Sequence, residues 1–359
     1  MKLPPDPRCS AAPNGDPFVE AALATPAASA ALQSGNVEGP LSSLARRYAD
    51  ALDAGKETAL RAALDAAPSS GVWRTMAAGV DRAITPDSAA VGARLFAIPV
   101  AIVAAAAGGG RVSAVLSDVQ RLAEVLRENR ALGPLAHFGL SNALCAPAAL
   151  AALSWKKARA FALAAGQVDL DGGWSDLPPE DIELTGGDEQ VHLRFLMGAA
   201  VAPPGAPTFL ETASAIATWG MPFTRELSAQ LHTDGASVVA IPRPPATLLA
   251  AQAAGFTAAE ELALQAFVSR ELRRFRSEVG EPDVSLAALS EGALGVRFAS
   301  PFIENRVFVH VRRLHPAEAW DEVLREVVQL LEECRIEDLR VEAHPMSLDQ
   351  FRDGTGAPH

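Results

Sequence analysis

Residues 94–110 read RLFAIPVAIVAAAAGGG. From Leu95 to Ala107 the apolar side chains follow one another without polar alternation. Such a run reads as a strand covered on both faces, because a strand with one wet face would alternate. It has 13 residues and contains Pro99, whereas a membrane-spanning helix needs about 20 apolar residues. Just downstream, Val115, Val119, Leu122 and Leu126 share one stripe, Arg121, Glu124 and Glu128 lie away from it, and Gly133-Pro134 follows. That spacing predicts an amphipathic helix. A buried strand followed by a helix with one apolar face places the chain in the α/β class.

Upstream, residues 1–40 are rich in Ala, Pro, Gly and Ser and are expected as a disordered tail. Leu44, Tyr48, Ala51 and Leu52 then recur at helical spacing, and Leu60 and Leu64 continue on a second short helix beyond Gly55. Downstream, Ala131–Trp155 carries no formal charge, and Ser154–Leu163 fits helix and strand equally. Gly166–Gln190 holds eight acidic residues and no Lys or Arg, with Gly172-Gly173, Pro178-Pro179 and Gly186-Gly187. This acidic connection is the expected boundary between an N-terminal α/β unit at 41–165 and a C-terminal one at 191–348, with 349–359 a flexible tail.

In the second half, His192–Ala202 reads as a strand, Phe209–Leu231 as a helix broken near Gly220-Met221-Pro222, and Ser237–Ile241 as a short buried strand. Thr257 and Glu260 have capping-box spacing. Leu264, Val268, Leu272, Phe275 and Val279 form a stripe that Gly280 ends. The period then becomes two. Val284, Leu286 and Ala288 answer Leu294, Val296 and Phe298 across Glu291-Gly292, which predicts a hairpin. Arg306–Arg312 adds a strand with Val307, Val309 and Val311 on one face. Pro316 can open a helix striped by Trp320, Val323, Leu324, Val327, Leu331 and Cys334. Leu339, Val341 and Ala343 form a last strand. The expected fold is therefore α/β, a mixed sheet with buried central strands and a C-terminal, largely antiparallel one-sided sheet packed by a helix.

The chain has 359 residues, enough for one large or two ordinary domains, and 49% are hydrophobic, which excludes disorder throughout. With 31 Lys+Arg against 43 Asp+Glu the formal charge is −12. Nucleic-acid backbones and anionic membrane surfaces are therefore disfavoured partners. The eight acidic residues of 166–190 make up much of that excess, so the remaining chain is nearer to balance. Cys9, Cys145 and Cys334 are too few and too scattered for a disulfide framework or a metal site. Met1–Pro7 lacks the apolar core of a secretory signal, and the expected location is cytoplasmic.

Several motifs invite chemistry and meet plainer readings. Gly108-Gly109-Gly110 resembles a phosphate loop but lacks the glycine spacing and the Gly-Lys-Ser/Thr ending, so it reads as a turn. Asp169, Asp171 and Glu180 imitate a calcium loop, yet Trp174 stands where such a loop requires Gly. His137, Ser141 and Cys145 would line one strip of a helix, about 12 Å long from first to last, too long for a direct Cys–His hydrogen bond. Cys145 is the candidate reactive thiol, weighed against an inert buried cysteine. Arg270, Arg273, Arg274 and Arg276 are the candidate residues for an acidic partner or anion, weighed against a solvated helix face. His310 and His315 flank Arg312-Arg313 on an expected exposed polar face, without a third metal ligand in reach.

No cofactor or metal is implied. The leading expectation is a non-catalytic soluble protein that works through protein contacts, by self-association or as a subunit of an assembly. Its sheet edges could pair. The alternative is an enzyme or small-metabolite binder with its site at strand ends.

Overall fold

A computed structural model describes residues 15–25, 38–85, 93–133, 136–165, 177–187, 189–201, 213–303, 306–336, 338–342 and 344–354. The chain is mixed α/β and divides into two compact units. One combines Gly15–Asp65 with Gly71–Ala259. The other combines Ala66–Ser70 with the chain from Glu260 onward. The division falls after Ala259, not in the acidic segment, because the strands on either side of that segment pair with each other.

In the first unit the described elements run α1 (Pro17–Leu23), α2 (Glu38–Asp53), α3 (Glu57–Asp65), α4 (Ser70–Ile84), β1 (Arg94–Val112), α5 (Val119–Glu128), β2 (His137–Cys145), α6 (Pro147–Ala152), α7 (Trp155–Ala165), β3 (Ile182–Leu184), β4 (Gln190–Val201), α8 (Ala213–Gln230), β5 (Thr233–Pro242) and the start of α9 (Leu248–Glu278). The long strand β1 organises the sheet. On one edge it pairs with β4 from Arg94↔Ala200 to Ala104↔Gln190, and then with β3. On the other it pairs with β5, and β2 joins outside β4. All these pairs are antiparallel. Phe96, Ile98, Val100 and Ile102 form one face, packed with Leu122 and Leu126 of α5 and Trp219, Phe223 and Leu227 of α8.

Several local expectations change. Pro17–Leu23 is helical within the expected tail, burying Phe18, Val19 and Ala22 after an Asp16 cap. Ser70–Ile84, outside the stretches read above, is a helix that buries Trp73, Met76, Ala77, Val80 and Ile84 at helical spacing. The three glycines lie inside β1, at a register shift between Ala106 and Arg111, rather than in a turn beyond it. The backbone at Gly186 passes so close that a Cβ there would meet the Gly109 nitrogen at 2.8 Å. Close backbone approach explains glycine at this place. Helix α8 continues through Pro222, held by the buried Trp219–Phe223 edge-to-face pair at 5.4 Å. Strand β5 is longer than expected and half exposed.

The capping box at Thr257 is absent, because Thr257 and Glu260 lie within the 31-residue helix α9. That helix is capped instead from α4. Asp81 accepts from Thr247 Oγ1 at 2.6 Å, Leu249 N at 3.1 Å and Ala250 N at 3.4 Å. The carboxylate thereby satisfies backbone N–H donors that a helix start leaves open.

The second unit continues α9 and adds β6 (Asp283–Leu289), β7 (Ala293–Ala299), β8 (Val307–Arg313), α10 (Trp320–Glu333), β9 (Leu339–Val341) and α11 (Leu348–Asp353). Its sheet order is β8-β7-β6-β9, with β9 parallel to β6 and the other pairs antiparallel. The predicted hairpin turns at Gly292, φ +76°. Leu286, Leu294, Val296 and Phe298 face Leu264, Val268, Leu272 and Phe275 of α9 and Val323, Leu324 and Val327 of α10. Helix α10 starts at Trp320, after a turn that holds Pro316. The other sheet face is partly covered by α11, whose Phe351 packs with Leu289 and Ala293. The expected C-terminal tail thus contains a helix, and a capping box does occur there, between Ser347 and Gln350. Among the described residues no helix is long and apolar enough to cross a membrane.

Asp81 provides a test of this architecture. Burial pushes its carboxyl up to about 6 despite its three donors. A raised folded value means a contribution that is fully present below the unfolded value and lost as pH rises through about 6. Asp81→Ala should lower the stability of the first unit by about 2 kcal/mol, since a cap and a buried acceptor go together. In urea titrations from pH 4 to pH 7, Asp81→Asn should flatten the pH dependence relative to wild type. An unchanged slope would remove Asp81 as its source.

Candidate protein-contact site

Strand β8 is an edge strand, and its register decides which atoms it offers. Phe298↔Phe308, Val296↔His310 and Leu294↔Arg312 are partners, and Ser300 N donates to Arg306 O at 3.0 Å. In an antiparallel ladder, hydrogen-bonded and non-hydrogen-bonded pairs alternate. The amides and carbonyls of Phe308, His310 and Arg312 therefore point to β7, and those of Val307, Val309, Val311 and Arg313 point away. The Arg313 amide is taken by Glu260 Oε2 at 3.0 Å. No group among the described residues takes the amides of Val307, Val309 and Val311.

The side chains divide the other way from the expected polar face. Phe308, His310 and Arg312 lie on the row that faces the helices, while Val307, Val309 and Val311 lie on the outer face, half-buried. Arg312 is 1% exposed and donates to Glu318 Oε1 at 2.7 Å. Glu318 also accepts from the His315 amide at 2.6 Å. Pairing lets an arginine occupy an apolar row. The His310 ring lies 5.2 Å from the Phe267 ring, and its buried Nε2 has no hydrogen-bond partner among the described residues. Burial, with Arg270, Arg312 and Arg313 nearby, pushes His310 down to about 4 and keeps it neutral.

Helix α9 runs over β8 and is fastened to both ends of that strand. Glu260 accepts from Arg313 Nη2 at 2.7 Å and Nε at 2.9 Å, and Glu278 pairs with Arg306. Between them the Arg274 guanidinium lies 4.6 Å from the Phe308 ring centre. The four candidate arginines do not share one target. Arg270 pairs with the buried Glu271 at 2.8 Å, and Arg274 lies 4.0 Å from the same carboxylate. Arg276 pairs with Glu281 and donates to the Cys334 carbonyl at 3.1 Å, whereas Arg273 is exposed.

Beside this strand, the turn into β8 exposes Phe302 by 79% and Ile303 by 45%. Between α9 and α10 lies a groove of about 280 Å3, with Arg312 among its lining residues. The period-two pattern places these residues on β8 but marks the valines as the inner row, whereas Phe308, His310 and Arg312 occupy it. The signal for the true row was Glu318, six residues after Arg312, and no periodicity marks such a pair.

Cys145 is separate from all of this. His137, Ser141 and Cys145 lie on β2, not on a helix, and the β4 partners of His137 and Cys145, Val201 and Phe195, are six residues apart, which separates the two side chains by about 20 Å. Cys145 is buried, and burial pushes its thiol up to about 12, away from the thiolate that a nucleophile requires. Asp169 and Asp171 of the calcium-like motif lie outside the described residues. Beside its Glu180, Asp181 pairs with Arg111 and accepts from the Ala114 amide at 2.8 Å. Among the described residues no three metal-ligating side chains gather. No protein-family model, curated protein or solved structure matches the chain.

The Arg312–Glu318 pair is testable by double-mutant cycle. Arg312→Met alone, or Glu318→Leu alone, leaves a buried charge unpaired and should cost about 3–5 kcal/mol. The combined variant should recover most of that loss in urea unfolding of the second unit. Additive losses would show that the two side chains act independently.

Proposed function

We propose that this chain is a non-catalytic protein that works through protein contacts, and that β8 pairs with β8 of a second copy. The supporting observation is the outward main-chain edge at Val307, Val309 and Val311. It is bordered by three half-buried valines and the exposed Phe302 and Ile303. Edge strands with unpaired amides and carbonyls are templates for another strand.

The pattern favours a second copy because it is symmetric. In an antiparallel pairing centred on Val309, Val307 of one chain meets Val311 of the other. Valine pairs stabilise such ladders, and the same patch serves both sides of a two-fold axis. The flanking cations do not oppose it, since Arg313 is held by Glu260 and Arg306 by Glu278.

Sedimentation velocity over a dilution series tests this reading. Wild type should pass from dimer to monomer on dilution, and Val309→Lys should remain monomeric at all concentrations. The control Val115→Lys, at an exposed position of the first unit, should behave as wild type. A wild type that is monomeric throughout, or a Val309→Lys variant that still dimerises, would overturn it.

A further inference from the structure

Two arginines are buried among the described residues, and their surroundings differ. Arg312 has Glu318 as its counter-ion. Arg194, on β4 and 8% exposed, donates only to main-chain carbonyls, from Nε to Glu180 O at 3.3 Å and from Nη1 to Leu193 O at 2.9 Å. A guanidinium has five N–H donors, so three remain. No group among the described residues takes them. The carboxylates of Glu180 and Asp181 act on the Arg194 charge from beyond ion-pair distance, and Asp181 is already engaged by Arg111 and the Ala114 amide. A buried cation without a partner is costly, which makes a bound anion favourable there.

His192 is a second incomplete group. It stands two residues before Arg194 on the same strand, so the two side chains share a face. Its Nε2 is buried and has no hydrogen-bond partner among the described residues. Burial, and then the Arg194 charge, hold the ring below the ordinary imidazole range, so it is neutral and one ring nitrogen carries a proton. Strand β4 is half-buried from Gln190 to Leu193 and buried from Arg194 onward, which puts the pair where the strand leaves the core. The two Cα atoms are about 7 Å apart. Two hydrogen bonds of about 3 Å to one small anion bridge that span. The nearby Glu180 and Asp181 repel a doubly charged phosphate more than a singly charged group. We propose that Arg194 and His192 bind a small carboxylate, with Arg194 Nη2 and His192 Nε2 donating to its oxygens. The site lies within the first unit and does not depend on the β8 edge.

Acetate is the probe, followed by thermal melting of the full chain, with chloride and phosphate at matched ionic strength for comparison. Acetate should raise the melting temperature saturably, by about 3 °C at a tenfold excess over half-saturation. Arg194→Met removes the charge together with its need for a counter-ion. It should melt at or above ligand-free wild type and lose the acetate response. His192→Phe keeps a ring without a nitrogen and should need about tenfold more acetate. Circular dichroism confirms that each variant is folded. The proposal is overturned if acetate does no more than chloride, if phosphate stabilises as well as acetate, or if either folded variant responds like wild type. It is overturned equally if Arg194→Met melts well below ligand-free wild type, because the existing carbonyl contacts then suffice for the cation.

Discussion

Helix α9 is strapped to strand β8 by two ion pairs, one at each end of the strand, and the surfaces of the second unit depend on that strap. Glu260 and Glu278 are separated by about 27 Å of helix. Their partners Arg313 and Arg306 are separated by about 23 Å of strand. The two lengths nearly agree, so both ion pairs form without bending either element. Between the ends the helix must accept whatever the inner row of β8 presents. That row is Phe308, His310 and Arg312, and α9 answers with Arg274 near Phe308 and Phe267 against His310.

The strap fixes which side of β8 is used internally and which is left for others. Once the aromatic and charged row is turned inward, the valines must face out, because strand side chains alternate. The unpaired main-chain edge lies on the side that β7 does not occupy. Glu260 closes that edge at Arg313, leaving three valines between the ion pairs. The same helix also forms one wall of the groove between α9 and α10 through Glu261, Leu264 and Gln265.

Much of the architecture was legible in the sequence where a periodic apolar pattern coincided with a single burial environment. The run at 95–107, the stripe from Leu264 to Val279 and the hairpin across Gly292 all satisfy that condition. Readings changed where a polar side chain found a distant partner. Glu260 has capping-box spacing from Thr257, but it binds Arg313, while the start of α9 is capped by Asp81 from another helix. On β8 the valines looked like the inner row because hydrophobicity was the only available criterion. Arg312 reverses this by burying with Glu318. The candidate edge depends on such tertiary pairings, so it has no local signature. The arginines of α9 stood out locally, and the structure places Arg270 and Arg274 at Glu271 and Arg276 at Glu281.

On the proposed reading the β8 edge is unpaired in the monomer and becomes the contact in the assembly. Amide hydrogen exchange resolved to single residues, at high dilution and at high concentration, tests it most directly. At high dilution the amides of Phe308, His310 and Arg312 should be protected while those of Val307, Val309 and Val311 exchange rapidly. At high concentration the three valine amides should slow, with the other three unchanged. Valine amides that are protected equally at every dilution, or that stay rapid while the chain associates, would contradict it.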